Sequence, residues 1–343
     1  ARGACAVTAR PPARPPTRPM LAPLTPLYRL ALALREAGLR SGLRPVRRLS
    51  WPVVSIGNLS TGGAGKTPLT ITLAQALTRR GLYVDVLSRG YGRMSRDPAR
   101  VDPRGTAEEF GDEPLEIARA TGVPVYMAAQ RYEAGLLAER DAEKQSSCIH
   151  LLDDGFQHRQ LHRDIDILLL NSGDLKDRLL PAGNLREPLG AMHRASCIAI
   201  PAEDHELEAE LKTRGWQGEI WRIRRRMEVP RIDGPVIAFC GIARPEQFFQ
   251  GLENAGLQLA ARIAFPDHHR YTQGDLDRLR DTARNASAAV FVTTEKDRVR
   301  LGKFSADLSA AAPIQTARLR VEVDNEASAI DWLSATLGFN ARR

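Results

Sequence analysis

The run Ser60-Thr61-Gly62-Gly63-Ala64-Gly65-Lys66-Thr67 constrains this chain more than any other feature, because it stands between an apolar stretch over 53–56 and a helical pattern over 66–80. Glycines let successive backbone N–H groups converge on phosphate oxygens, and the start of a helix adds its partial positive charge. Lys66 can reach the terminal phosphates of a nucleotide, and Thr67 offers a hydroxyl to Mg²⁺. Strand, glycine loop and helix in that order define a phosphate-binding loop, and ligands of such α/β folds sit at the carboxyl ends of parallel strands. The strict pattern has glycine where this chain has Ser60, although Gly57, Gly62 and Gly63 lie close by.

The rest of the chain keeps the alternation. Strands are expected over 84–87, 148–152, 165–170 and 197–200, and helices over 112–120 and 131–142. Residues 216–230, WQGEIWRIRRRMEVP, are charged and partly alternating, and read as a linker or exposed ribbon. A new α/β segment opens with an apolar strand over 236–240, followed by helices over 246–255 and 273–283 and a strand over 289–293. The expected fold is therefore α/β: a P-loop NTPase-like parallel sheet domain over 46–230, then a second, smaller α/β domain over 231–335 that closes over the nucleotide cleft. A length of 343 residues accommodates two cores at about 150 residues per domain.

The net charge of +8 is unevenly placed: the first 48 residues carry +9 and the remaining 295 sum to −1. No basic body is left to coat a polynucleotide, so nucleic acid is not an expected partner. The four cysteines are widely spaced and form no CxxC pair, which argues against zinc or a disulfide framework. Cys148, Cys197 and Cys240 lie in apolar runs and read as buried thiols in a reducing compartment. No apolar stretch approaches the roughly 18 residues needed to cross a bilayer.

Residues 1–19 are rich in Pro and Arg and lack periodicity. They read as a disordered extension or artefact, with Met20 as the expected natural start. Within 20–45 a helix is expected over 27–44. Leu27, Leu30, Ala31, Leu32, Leu34, Leu39 and Leu43 make a wide apolar face, Arg29, Glu36 and Arg40 a polar strip, and Arg35 interrupts the pattern. Such a helix suits the headgroup plane of a membrane or packing on its own domain, and periodicity permits both.

A second chemical signal, Leu151-Leu152-Asp153-Asp154-Gly155-Phe156-Gln157-His158, ends an apolar stretch. A carboxylate there holds the Mg²⁺ of a nucleoside triphosphate, unless Asp-Asp-Gly is a plain turn. Five further segments stand out along the chain: Ser88-Arg89-Gly90-Tyr91-Gly92-Arg93, Gly111-Asp112-Glu113-Pro114, residues 180–188 (LPAGNLREP), Phe265-Pro266-Asp267-His268 and Thr293-Thr294-Glu295-Lys296-Asp297. With 60–68 and 153–158 these make the chain resemble the tetraacyldisaccharide 4'-kinases of lipid A biosynthesis, over residues 51 to about 300. The resemblance implies ATP-dependent phosphorylation of the 4'-hydroxyl of tetraacyldisaccharide 1-phosphate to give lipid IVA, in a two-domain P-loop fold with ATP between the lobes. It implies ATP and Mg²⁺ as cofactors, a membrane-embedded acylated disaccharide 1-phosphate as acceptor, and a peripheral place on the cytoplasmic face of the bacterial inner membrane. No protein partner is expected.

The resemblance also implies site roles. Asp112 is the base, assisted by His268, with Lys66 as the third catalytic group. Ser60, Thr61, Gly62, Gly63, Ala64, Gly65, Lys66, Thr67 and Arg186 bind the nucleotide, and Thr67, Asp154 and Glu187 attend the metal. Ser60 is within the family's usage, whereas Asn184 stands where proline is more common.

Elementary chemistry agrees with these roles. Asp112 opens an expected helix, whose N-terminal dipole keeps a carboxylate ionised and available as a base. His268 comes from the second domain, so its participation requires the lobes to close and exclude water. On residue types alone, Asp112 reads rather as a helix cap and His268 as a surface turn residue. Arg89, Arg93 and Arg186 can pair with phosphate bidentately, Arg186 being preferred. The lysine of Thr294-Glu295-Lys296-Asp297 is one residue out of place for a guanine-reading NKxD motif, so that segment receives no role. Two other readings stay open: a P-loop GTPase or ATPase that hydrolyses as a switch, and a nucleotide-gated membrane-binding module without catalysis. A four-chain acceptor stays in the membrane, which tips the N-terminal helix toward peripheral membrane contact.

Overall fold

The computed structural model describes residues 17–62, 65–91, 93, 95, 97–142 and 147–339. Most of the proposed 1–19 extension, Cys5, Gly63 and Ala64 lie outside the described residues. In chain order the strands are β1 Val53–Asn58, β2 Tyr83–Ser88, β3 Ala99–Arg100, β4 Val125–Met127, β5 Cys148–Asp153, β6 Ile165–Leu169, β7 Cys197–Pro201, β8 Glu219–Glu228, β9 Pro235–Cys240, β10 Gln258–Ala264, β11 Val290–Thr294 and β12 Ile314–Val323. They join in one sheet of order β10-β9-β11-β12-β8-β7-β6-β1-β5-β2-β4-β3. Among these pairs β3–β4 and β8–β12 are antiparallel and the rest parallel.

Strands β1, β5, β6 and β7 are buried along their whole length. That is why they read as unbroken apolar runs: a parallel strand covered on both faces has no solvent side to alternate with. β1 lies between β5 and β6, with Ile56 opposite Asp153. The loop that leaves β1 is thereby delivered beside the carboxylates that end β5.

Residues 216–230 are not a linker. Strand β8 pairs in parallel with β7 and antiparallel with β12, burying Trp221 and Ile223 while Arg222 and Arg224 face outward to Glu208 and Asp324. The alternation in the sequence is the two-residue period of a strand with one wet face, and the arginines are that face.

Beyond β8, the second lobe builds its own cores, one from Ile237, Phe239, Ile263, Leu276 and Phe291, another from Val236, Phe248, Phe249 and Val292. The chain then returns. Val321 and Val323 of β12, with Ala329, Ile330 and Leu333 of the helix Glu326–Thr336, pack with Val54, Ile56, Leu69, Leu73 and Leu77 of the first lobe. Each such buried Val, Ile or Leu side chain contributes about 1.5–3 kcal/mol, so the last helix fastens the second lobe to the first. Cys148, Cys197 and Cys240 are buried free thiols.

Candidate active site

The helix Lys66–Arg79 follows the glycine loop directly, with Gly65 at φ 89° in the left-handed region as its N-cap. Lys66 Nζ donates to Asn58 Oδ1 at 3.1 Å and lies 3.5 Å from Asp154 Oδ1. Thr67 Oγ1 donates to Asp153 Oδ2 at 3.4 Å, and Thr70 Oγ1 to Asp153 Oδ1 at 3.0 Å. The residue against the Thr67 hydroxyl is thus Asp153, which sequence reasoning passed over in favour of its neighbour. Burial, with Glu113 and Asp154 nearby, pushes the Asp153 carboxyl up to about 6 despite Lys66 and Thr70. Burial would also raise Asp154, but Lys66 and Arg186 outweigh it and hold that carboxyl well below its ordinary range.

Arg186 forks onto Asp154, with Nη1 to Oδ2 at 3.1 Å and Nη2 to Oδ1 at 2.9 Å, and also donates to Asn58 Oδ1 at 2.6 Å. The 180–188 segment lies along the phosphate loop: Ser60 bridges Leu185, and Thr61 donates its N–H to the Asn184 carbonyl at 2.8 Å. Ser60 itself is buried and its hydroxyl accepts from Asn58 Nδ2 at 3.3 Å.

Glu187 sits elsewhere in the network. It is buried, and Arg35 and Arg194 both bind its carboxylate, Arg194 Nη2 at 2.6 Å. Among the described residues no three His, Cys, Asp or Glu side chains converge as a ligand set. What does suit a hard cation is the pairing of the Thr67 hydroxyl with the buried, under-neutralised Asp153, oxygen donors of the kind Mg²⁺ prefers.

The N-terminal helix, Thr25–Arg40, explains the interruption at Arg35. Arg35 reaches Glu187, Tyr28 donates its hydroxyl to the Arg186 carbonyl at 2.8 Å, and Arg159 binds Glu36. Leu32 and Tyr28 pack on the first lobe. The opposite face presents Leu27, Leu30 and Leu34, 67%, 55% and 65% exposed. Leu43 lies beyond the helix end and is also exposed.

Across the sheet edge, Gly111 at φ 83° opens the helix Asp112–Thr121, and a side chain there would meet the Tyr91 carbonyl at 2.9 Å. Asp112, only 7% exposed, begins that helix. His268 Nδ1 of the second lobe lies 3.4 Å from Asp112 Oδ2. Arg300 binds the same carboxylate, through Nε at 2.9 Å and through Nη2, and its Nη2 is 3.2 Å from His268 Nδ1. Burial alone would raise Asp112, but the His268 hydrogen bond and the charges of Arg300 and Lys296 hold it well below the ordinary carboxylate range. The contact with Asp112 in turn raises His268. These groups line a cleft of about 490 Å³ with Tyr91, Thr106 and Tyr271.

The Thr293–Asp297 segment acquires a physical role. Thr294 caps the helix Glu295–Leu301, Lys296 Nζ reaches Glu113 at 2.7 Å, and buried Asp297 accepts from Gly241 N and Tyr271 Oη at 3.0 Å each. Arg300, one turn on, had no motif to mark it. Its signal was only helical spacing, three residues from Asp297 and four from Lys296, which brings Lys296 and Arg300 to one face. Arg93 turns back on its own loop to the Asp97 carbonyl at 2.7 Å, and Arg89 is exposed.

A glycine loop bearing Lys66 and Thr67, carboxylates at the end of the neighbouring strand, and an ionised aspartate facing an inter-lobe cleft define a P-loop phosphotransferase. Residues 17–338 match the family model of tetraacyldisaccharide-1-P 4'-kinase, LpxK, and the chain belongs to that family. It is a kinase of lipid A biosynthesis. The tetraacyldisaccharide 4'-kinase of Koribacter versatilis is 41% identical over 319 residues, covering 90% of this chain and 96% of its own. That of Parvibaculum lavamentivorans is 38% identical over 308 residues, covering 88% and 84%. The crystal structure of LpxK from Aquifex aeolicus in complex with ATP superposes with a TM-score of 0.72 at 31% identity, covering 93% of this chain and 98% of that one.

Proposed function

We propose that ATP seats its phosphates on the 60–67 loop and that Asp112 accepts the 4'-hydroxyl proton of a disaccharide 1-phosphate presented in the inter-lobe cleft. The observation that carries this reading is the approach of His268 to Asp112 at 3.4 Å across the lobe boundary. In the transfer, the 4'-oxygen forms a bond to the γ-phosphorus as the β,γ-bridging bond breaks, ADP leaves, and the hydroxyl proton passes to the Asp112 carboxylate. The transition state is loose and the proton leaves late, so a weak base that is always ionised serves. His268 steadies the carboxylate and shares the proton.

Thr67, Asp153 and Asp154 would hold Mg²⁺, which supplies positive charge to the β- and γ-phosphate oxygens when bound. Glu187, engaged by Arg35 and Arg194, supports the loop and the N-terminal helix. Lys66 and Arg186 bind and orient the phosphates, and both already rest on Asp154, which keeps them in position.

The enzyme works at the cytoplasmic face of the inner membrane. No described helix is long and apolar enough to cross a membrane. The exposed Leu27, Leu30 and Leu34 face, anchored to the site through Arg35, supports insertion into the headgroup plane beside the cleft. Incubation with ATP, Mg²⁺ and the disaccharide 1-phosphate in detergent micelles is expected to yield a product with one added phosphate on the distal sugar. Hydrolysis of ATP without that product would overturn the reading.

A further inference from the structure

The phosphate loop is overlaid by two arginines that neither the sequence pattern nor the site above uses. Arg244 stands immediately before the helix Pro245–Asn254 in the second lobe, and Arg225 lies on β8. A methyl group placed on Gly62 would meet Arg244 Nη2 at 3.3 Å, and one placed on Gly65 would meet Arg225 Nε at 3.4 Å and Nη2 at 3.5 Å. The two guanidinium groups therefore lie one side-chain atom away from the backbone that wraps phosphate, one at each end of the glycine turn. Arg244 is half-buried, and among the described residues it has no hydrogen-bond or ion-pair partner. The charge of Asp174 acts on it only from further off, and Asp174 is occupied with the Asn171 amide and side chain at 3.0 and 2.8 Å. Burial lowers the pKa of both arginines, and Arg244 lowers that of Arg225 further against the opposing charges of Glu203 and Asp174.

We propose that Arg244 is an arginine finger carried by the second lobe: its guanidinium donates to the non-bridging oxygens of the γ-phosphoryl group, while Arg225 holds the adjoining phosphate. The proposal rests on the reading that ATP binds the 60–67 loop. Charge in a loose phosphoryl transition state spreads over the equatorial oxygens, and a planar fork of N–H donors matches two of them at once, which an ammonium does not. A side chain at residue 62 would crowd the finger, and the φ of 99° there already favours glycine. The device also ties transfer to lobe closure, since Arg244 and His268 both come from the second lobe and approach the phosphate and the acceptor from the same side of the boundary.

The test compares wild type with Arg244→Ala, Arg244→Lys and Lys66→Ala, each checked for an unchanged melting temperature. It measures kcat, KM for ATP, and the binding of two Mg²⁺-loaded probes: AMP-PNP, and ADP with aluminium fluoride. Both Arg244 variants are expected to lower kcat by about 10²-fold or more, to change KM by less than about 3-fold, and to lose the aluminium fluoride complex while keeping AMP-PNP. Near-normal kcat in Arg244→Lys, which keeps charge and length, overturns the finger, as does an equal loss of both probes. Lys66→Ala separates the two claims. Unchanged AMP-PNP binding in that variant would sink the nucleotide reading itself, whereas weakened binding there beside normal Arg244 variants would sink the finger alone.

Discussion

Asp112, the base we propose, is restrained by its neighbours. Arg300 and His268 both press on one oxygen, so the carboxylate stays ionised far into acid, and acidification has no proton to return to it in the working range. We therefore expect kcat to show no acid limb from Asp112; a limb near pH 6 would belong instead to Asp153, whose carboxyl is pushed up to about 6. Arg300→Ala removes the largest cation and should let the Asp112 pKa climb, so that a limb appears at higher pH than in wild type. A pH–rate profile of the two proteins checks this. Asp112 and His268 were legible as residues because their motifs are local. Arg300 was not, since its part arises only when a helix of one lobe meets a helix of the other. Asp153 and Asp154 were both visible, but choosing between them needs the register that sets Ile56 opposite Asp153.

At the scale of elements, the N-terminal helix shows how one pattern serves two purposes. Its apolar residues divide: Leu32, with Tyr28, docks on the first lobe, while Leu27, Leu30 and Leu34 face outward. Replacing these three by Ser should abolish sedimentation with anionic liposomes and leave the melting temperature within a degree or two, because exposed leucines add little to the fold. Retained sedimentation would remove the helix from membrane contact. The β2–β5 pair holds a different kind of device. His150 Nδ1 lies 2.8 Å from Asp85, both fully buried, with Trp51 stacked on the ring at 5.0 Å and Glu139 3.5 Å from Nε2. Burial would discharge His150, but Asp85 and Glu139 push it up to about 9 from 6.5. A raised histidine contributes its full stability below about pH 6.5 and loses it as pH rises through about 9. Urea unfolding should show that decline in wild type and lack it in His150→Ala, which is also expected to be less stable by about 3–5 kcal/mol because Asp85 is left buried without its partner. Nothing in the spacing of two residues 65 apart announces this pair; it exists because β2 and β5 are neighbours.

For the whole molecule, the sheet is continuous through β8 and β12, yet its two ends carry separate cores and the site lies where they meet. Alternating strands and helices were readable because parallel strands and amphipathic helices leave periodic marks. The joint was not, because an arginine-rich strand with one wet face looks like a linker until its partner strand is placed. On the function we propose, the phosphate loop of the first lobe carries the triphosphate and the acceptor enters the cleft that Asp112 and His268 line from either side. The most direct measurement is turnover of disaccharide 1-phosphate by Asp112→Ala, with ATP affinity determined on the same preparation. We expect kcat to fall by about 10²–10⁴ while ATP binding changes by less than about 3-fold; a variant that turns over lipid at close to the wild-type rate would contradict the assignment of Asp112 as the proton acceptor.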